Sequence, residues 1–140
     1  MTYLTKTKAT LNAIKSILDA VTGTQATYKG IPESIAAKVT ASVSVGDRVP
    51  RDKAAGYHET DINFFVEFAY RVSGAESGAE DTLADWLDAF EEAWLADRKL
   101  GNTVRDSSLD FSLSNTPNYR PTAGSEFRVY PVVVRTTIPR

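Results

Sequence analysis

The stretch TDINFFVEFAYRVSG, residues 60–74, constrains the fold more than any other part of the chain. Ile62, Phe64, Val66, Phe68, Tyr70 and Val72 form an unbroken apolar row at period two, the pattern of a strand with one buried face. The opposite row mixes Phe65 and Ala69 with Asn63, Glu67 and Arg71. Such a strand needs a covering layer over its even row. Its odd row is neither fully polar nor fully apolar.

Helices are available to supply that layer. Leu4, Leu11, Ile14, Leu18 and Val21 recur at spacings of three, four and seven, which predicts an amphipathic helix ended by Gly23. Ser77 and Glu80 fit a capping box for a second helix over 77–100, with Asp81 also in its first turn. Leu83, Trp86, Leu87, Phe90 and Trp94 give that helix a narrow apolar stripe of the kind that is usually core. Arg98 and Lys99 fall in its last turn, with Gly101 as the expected residue after the cap.

Three more strands are predicted. Val39, Ala41, Val43 and Val45 alternate with polar residues as a half-buried strand, after a break at Gly30 and Pro32. The polar run GDRVPRDKAAGYHE then predicts a hairpin with a long exposed loop over about 46–59. Leu109, Phe111 and Leu113 alternate as a third strand, and SNTPNYRPTAGSE reads as a loop. FRVYPVVVRTTI is a final strand, expected at an edge or bulged at Pro131, which cannot donate to a ladder. The order helix-strand-strand-helix-strand-strand predicts an α+β, two-layer fold: one mostly antiparallel four-stranded sheet with two helices on one face. Residues 1–140 are expected to form a single domain.

Composition narrows the function classes. A formal charge of −2 supplies no global basic field for nucleic acid. With no cysteine there is neither a disulfide framework nor a thiolate metal site. Lys6, Lys8, Asn12 and Lys15 interrupt any secretory h-region, and no apolar run approaches the roughly 18 residues that span a bilayer. The expectation is a soluble protein made in a cytoplasm.

Catalysis finds little support. His58 is the single histidine, beside Glu59 and Asp61, but on a strand 59 and 61 point away from 58, so the three do not converge on a metal. Asp85, Asp88, Glu91 and Glu92 share a helix surface opposite the aromatic stripe, where water leaves carboxylates untuned. No nucleophile elbow, dinucleotide fingerprint or P-loop occurs. No catalytic, cofactor or metal residue is expected. Surfaces remain: Arg48, Arg51, Asp52, Lys53, Tyr57 and His58 on the 46–59 segment, Phe65, Glu67 and Arg71 on the strand, and Tyr119 and Arg120 in the later loop. The segment GDRVPRDK reads either as a solvated loop or as a binding loop that meets an acidic protein surface or lines a channel.

In this order, LNAIKSILDAV, YKGIPESI, TDINFFVEFAYRVSG with AEDTLADWLDAFEEAWL, and LGNTV leading to YPVVVRTTI, the chain resembles the lambda-type tail terminator, or tail completion, proteins of long-tailed bacteriophages. The likeness covers nearly the whole chain as a pattern of elements. It implies a non-enzymatic virion subunit that forms a ring, expected to be a hexamer, on the end of the tail tube. Such a ring stops tube polymerisation and offers a docking face to head-closure or neck proteins. The implied partners are the chain itself, the tail tube protein and a neck protein, with no membrane. Sequence-specific nucleic-acid binding is not implied, although the lumen leaves room for DNA. The implied location is the tail or neck of a virion assembled in a bacterial cytoplasm.

On this view 46–59 and Thr136 to Arg140 reach neighbours, and Phe65, Glu67 and Arg71 form an assembly face covered by another subunit. The alternatives are a head-closure, neck or minor tail protein of similar fold, and a monomeric α+β binding module with 46–59 as a clamp. A small hydrolase or metalloenzyme lacks its constellation.

Overall fold

The computed structural model describes residues 3–21, 26–30, 39–54, 57–72, 76–114, 118–122 and 125–139. Its elements run α1 (Tyr3–Ala20), β1 (Ala26–Lys29), β2 (Val39–Ala54), β3 (Tyr57–Arg71), α2 (Glu76–Ala96), β4 (Asp106–Asp110), a 3-10 turn (Ser112–Ser114), β5 (Asn118–Thr122) and β6 (Ser125–Pro139). The strands form one sheet in the order β1-β2-β3-β6-β4, with β5 also paired to β6. β1 runs parallel to β2, and every other pairing is antiparallel.

The even row of β3 does what its period requires. Ile62, Phe64, Val66 and Phe68 are fully buried, in one cluster with Ile14, Leu18 and Val21 around α1 and Leu83, Trp86 and Phe90 of α2. Phe68 anchors the join, with its ring centre 5.9 Å from that of Trp86 and 5.6 Å from that of Phe90. Burying one such aromatic side chain is worth about 1.5–3 kcal/mol, so this row is the main driving force for docking helices on the sheet. Val132, Val134 and Ile138 continue the same face along β6. The acidic residues Asp85, Asp88, Glu91 and Glu92 all face water.

Several expectations are corrected. The sheet has six strands, not four, because short β1 and β5 form where breaks and loop were expected. β1 gains its ladder from β2, and it ends at Gly30, whose positive φ of 82° suits glycine. The predicted third strand is displaced: β4 covers Asp106–Asp110, and Leu113 lies exposed in the 3-10 turn.

The predicted loop over 46–59 is largely strand. Residues 46–54 belong to β2 and 57–59 to β3, and the pairing runs out to Ala54↔Tyr57, with 55–56 outside the described residues. Within it Arg48, Val49, Pro50 and Arg51 face water, whereas Glu59 is buried.

β6 is not an edge strand either. β3 pairs one side of it, while β5 pairs 125–129 and β4 pairs 133–137 on the other. Pro131 falls in the gap between those two stretches, so its missing N–H costs no ladder bond on that side. The α2 cap also differs, for the helix begins at Glu76, one residue before Ser77. Glu80 instead accepts a 2.8 Å hydrogen bond from Arg128 Nε. The helix ends at Ala96, earlier than predicted, and Leu100, Gly101 and Asn102 then take positive φ in the turn that follows. Gly23 lies outside the described residues.

Candidate functional site

The functional question concerns the sheet face away from the core cluster. Registered pairs place Phe65, Glu67, Ala69 and Arg71 of β3 on this face with Val133, Pro131, Val129 and Phe127 of β6. Its two halves behave differently.

In the half near the β3 end, the chain covers itself. Ala69, Phe127 and Val129 form a second small buried cluster. The Arg71 guanidinium carbon sits 5.6 Å from the Phe127 ring centre, and Arg120 forms an ion pair with Glu67. Arg120 was expected in a loop, but β5 carries it opposite Phe127 and within reach of β3. Glu67 and Arg71 are therefore partly buried by their own chain, and the exposed part of the expected assembly face narrows to Phe65. Tyr119 registers with Arg128, and through it with Tyr70, so it belongs to the helix-side face; it is exposed, its ring centre 5.9 Å from the Arg128 guanidinium carbon.

In the other half, a β-bulge sets the surface. The β2–β3 register shifts between Val45↔Phe64 and Arg48↔Ile62, which leaves Gly46 and Asp47 as the bulged residues. A side chain at Gly46 would meet the Phe65 ring and would stand 2.8 Å from the Asn63 carbonyl oxygen. Glycine permits this close approach, and the Phe65 ring spreads over it while staying 37% exposed. Past the bulge the β2 alternation is reset: Arg48 shares the helix-side face with Ile62, while Val49 and Arg51 join the open face.

Val49, Arg51, Asp61, Asn63, Arg135 and Thr137 contribute to an open cavity of about 430 Å³. Asp61 takes the Arg51 guanidinium at 2.5 Å and a 2.9 Å hydrogen bond from Thr137 Oγ1. Arg135 donates to Asp110 at 2.6 Å. Hydrogen bonds from the Ser112 hydroxyl and backbone, then the Arg135 guanidinium, hold the Asp110 carboxyl down to about 2. Beside the cavity, Glu59 is buried, its side chain only 4% exposed, and accepts a 2.9 Å bond from Arg105 Nη1. These opposed charges suit a polar docking surface better than an anion site.

The other segment candidates scatter. His58 is exposed, paired across the ladder with Asp52. Asp52 and Lys53 lie in β2 and Tyr57 opens β3, with their side chains outside the described residues. Alternation along β3 sends Glu59 and Asp61 to one face and His58 to the other. Among the described residues there is no group of three or more His, Cys, Asp or Glu placed to hold a metal ion. No helix there is long and apolar enough to cross a membrane.

Sequence reasoning weighed Glu59 and Asp61 only as metal ligands and Arg51 only as a surface residue; it missed Arg105, Arg128 and Thr137, and the pairings Glu59–Arg105 and Arg51–Asp61–Thr137. Each is a polar residue whose partner lies in another element, so no local periodicity marks it. Exposed Val45, Val49, Leu95 and Leu113 were likewise not singled out as surface residues, because an apolar residue in a strand or helix pattern is first read as core.

The fold has a solved counterpart. A sheath/tube terminator of an extracellular contractile injection system (PVC), in its extended state, matches all of this chain at a TM-score of 0.52 and 14% identity. The chain spans 57% of that terminator's length. The two share a fold. A chain from the virion of a native gene transfer agent particle aligns over 95% of this chain and 91% of its own length, at 16% identity and a TM-score of 0.39. No protein-family model matches the chain, and no curated protein is a significant match.

Proposed function

We propose that this chain is a structural virion protein: a tail terminator that forms a ring, as a hexamer, on the end of the tail tube, stops tube growth and presents a docking face to the head or neck. The observation that carries this reading is the fold shared with a sheath/tube terminator over the full length of the chain. The surface is consistent with it. One sheet face is covered over its core by both helices, while the other keeps Phe65 and Val49 exposed beside an open charged cavity, as a subunit with neighbours requires. The β2–β3 hairpin, stiffened by its ladder, would reach the tube or a neighbouring ring. The protein would act in the virion tail or neck after assembly in the bacterial cytoplasm, with no catalytic step.

The test is direct. Purified protein is added to polymerising tail tube protein from the same particle, and tube lengths are measured by negative-stain microscopy. Short capped tubes with a terminal ring are expected. Unchanged tube length with no ring at the tube end would overturn the reading.

A further inference from the structure

We infer that the subunits join head to tail through two opposite margins of the sheet, with Val45 and Arg48 of one copy seated against Leu95, Glu91 and Glu92 of the next. This inference rests on the ring reading above and names its contact. Val45 is 45% exposed although it is paired with Phe64 and so belongs to the helix-side face. It stands just past the stretch Thr40–Val43 that β1 pairs, and among the described residues no strand pairs the outer side of β2 from there on. Arg48, exposed on that same face after the bulge, lies beside it.

The complementary feature occupies the other margin. Leu95 is 56% exposed near the end of α2, with exposed Glu91 and Glu92 one turn before it on the same side of the helix. That end of α2 is pinned to β4: Trp94 Nε1 donates to Ser107 Oγ at 2.9 Å, and Arg98 lies 3.6 Å from Asp106. In the order β2-β3-β6-β4, three strand spacings, roughly 14 Å, separate β2 from the strand to which the end of α2 is pinned.

Both features belong to the helix-side layer and each is apolar at its centre; exposed Arg48 beside Val45 is complemented by exposed Glu91 and Glu92 before Leu95, and exposed Asp47 by Lys99 after it. The fitting occupant of either margin is therefore a second copy presenting the other. A contact between unlike surfaces is heterologous, and it closes into a ring when the rotation permits. The outer side of β2, unpaired beyond Val43 among the described residues, carries the bulge, Pro50 and charged residues, which discourage strand-to-strand extension, so the contact runs through side chains.

The cysteine-free chain allows a clean test. Val45→Cys and Leu95→Cys are made singly and together, oxidised, and resolved by denaturing electrophoresis. The double variant should give a covalent ladder that stops at the ring number. The two single variants, mixed, should give covalent dimers containing one of each. In sedimentation velocity, Leu95→Asp and Arg48→Glu should each weaken self-association about tenfold or more, and Arg48→Glu with Glu91→Arg should recover part of it. Circular dichroism checks that each variant is folded. A wild-type ring that survives these changes and yields no mixed disulfide would overturn this contact and leave the ring standing. A wild type that stays monomeric at high concentration and forms no ring on tube ends would overturn both.

Discussion

The ring of Phe65 lies across Gly46, the residue that opens the bulge between β2 and β3. This contact joins backbone geometry to the candidate surface, because the bulge needs a glycine and the aromatic ring covers it. Gly46→Ala forces the Phe65 ring or the Asn63 carbonyl to move. Chemical denaturation should show a loss of about 1–3 kcal/mol, the usual cost of overpacking. An unchanged midpoint would mean that the close approach has no energetic weight.

Phe65 and Phe68 separate surface from core within one strand. Phe68→Ala removes a fully buried ring that contacts both Trp86 and Phe90, and should cost about 3–5 kcal/mol. Phe65→Glu should weaken oligomerisation, seen by light scattering, while the monomer stays folded. Unfolding of the monomer on Phe65→Glu would instead place Phe65 in the core.

Glu59 depends on a residue 46 positions away. Its buried carboxylate is held by Arg105, whose own side chain is 58% exposed. Arg105→Ala should destabilise the protein by about 1–3 kcal/mol, since a desolvated carboxylate loses a charged donor. Solvent at Arg105 keeps the effect in the lower part of that range. The double change Glu59→Gln with Arg105→Ala should recover part of the loss. Equal effects of the single and double variants in thermal melts would contradict this.

Asp110 provides a pH dependence whose sign follows from its hydrogen bonds. Its folded value is lowered from 3.8 to about 2 by Ser112 and then by Arg135. A depressed carboxyl contributes stability that is present above the unfolded value and is lost as pH falls through the folded one. The midpoint difference between wild type and Asp110→Asn should thus be constant above about pH 5 and shrink between about pH 4 and 2. A difference that does not change with pH would show that the carboxyl's charge is not what matters.

The β3 row and both helices were legible in the sequence because each signal is local. Period two along 62–70 and the stripe Leu83, Trp86, Phe90 report burial on one side, and burial on one side is what docks these elements together. Residues 46–59 were not legible as strand. Both faces of that hairpin are largely exposed along β2, so no apolar alternation survives, and ladder hydrogen bonds to a partner strand replace it as the reason for extension. β1 and β5 are similar, since their short polar sequences become strands only beside β2 and β6.

By itself, then, the sequence determined which face of β3 is core, which helices cover it, and that Phe65 belongs to the other side. Tertiary structure alone decided that Glu67 pairs with Arg120 and Arg71 lies against the Phe127 ring, that the bulge at Gly46 turns Val49 and Arg51 toward the cavity, and that Val45 and Leu95 stand on opposite margins. The physical reason is reach. Periodicity records what a residue does relative to its neighbours in sequence, whereas ion pairs, register shifts and exposed margins depend on separate elements brought together across the chain.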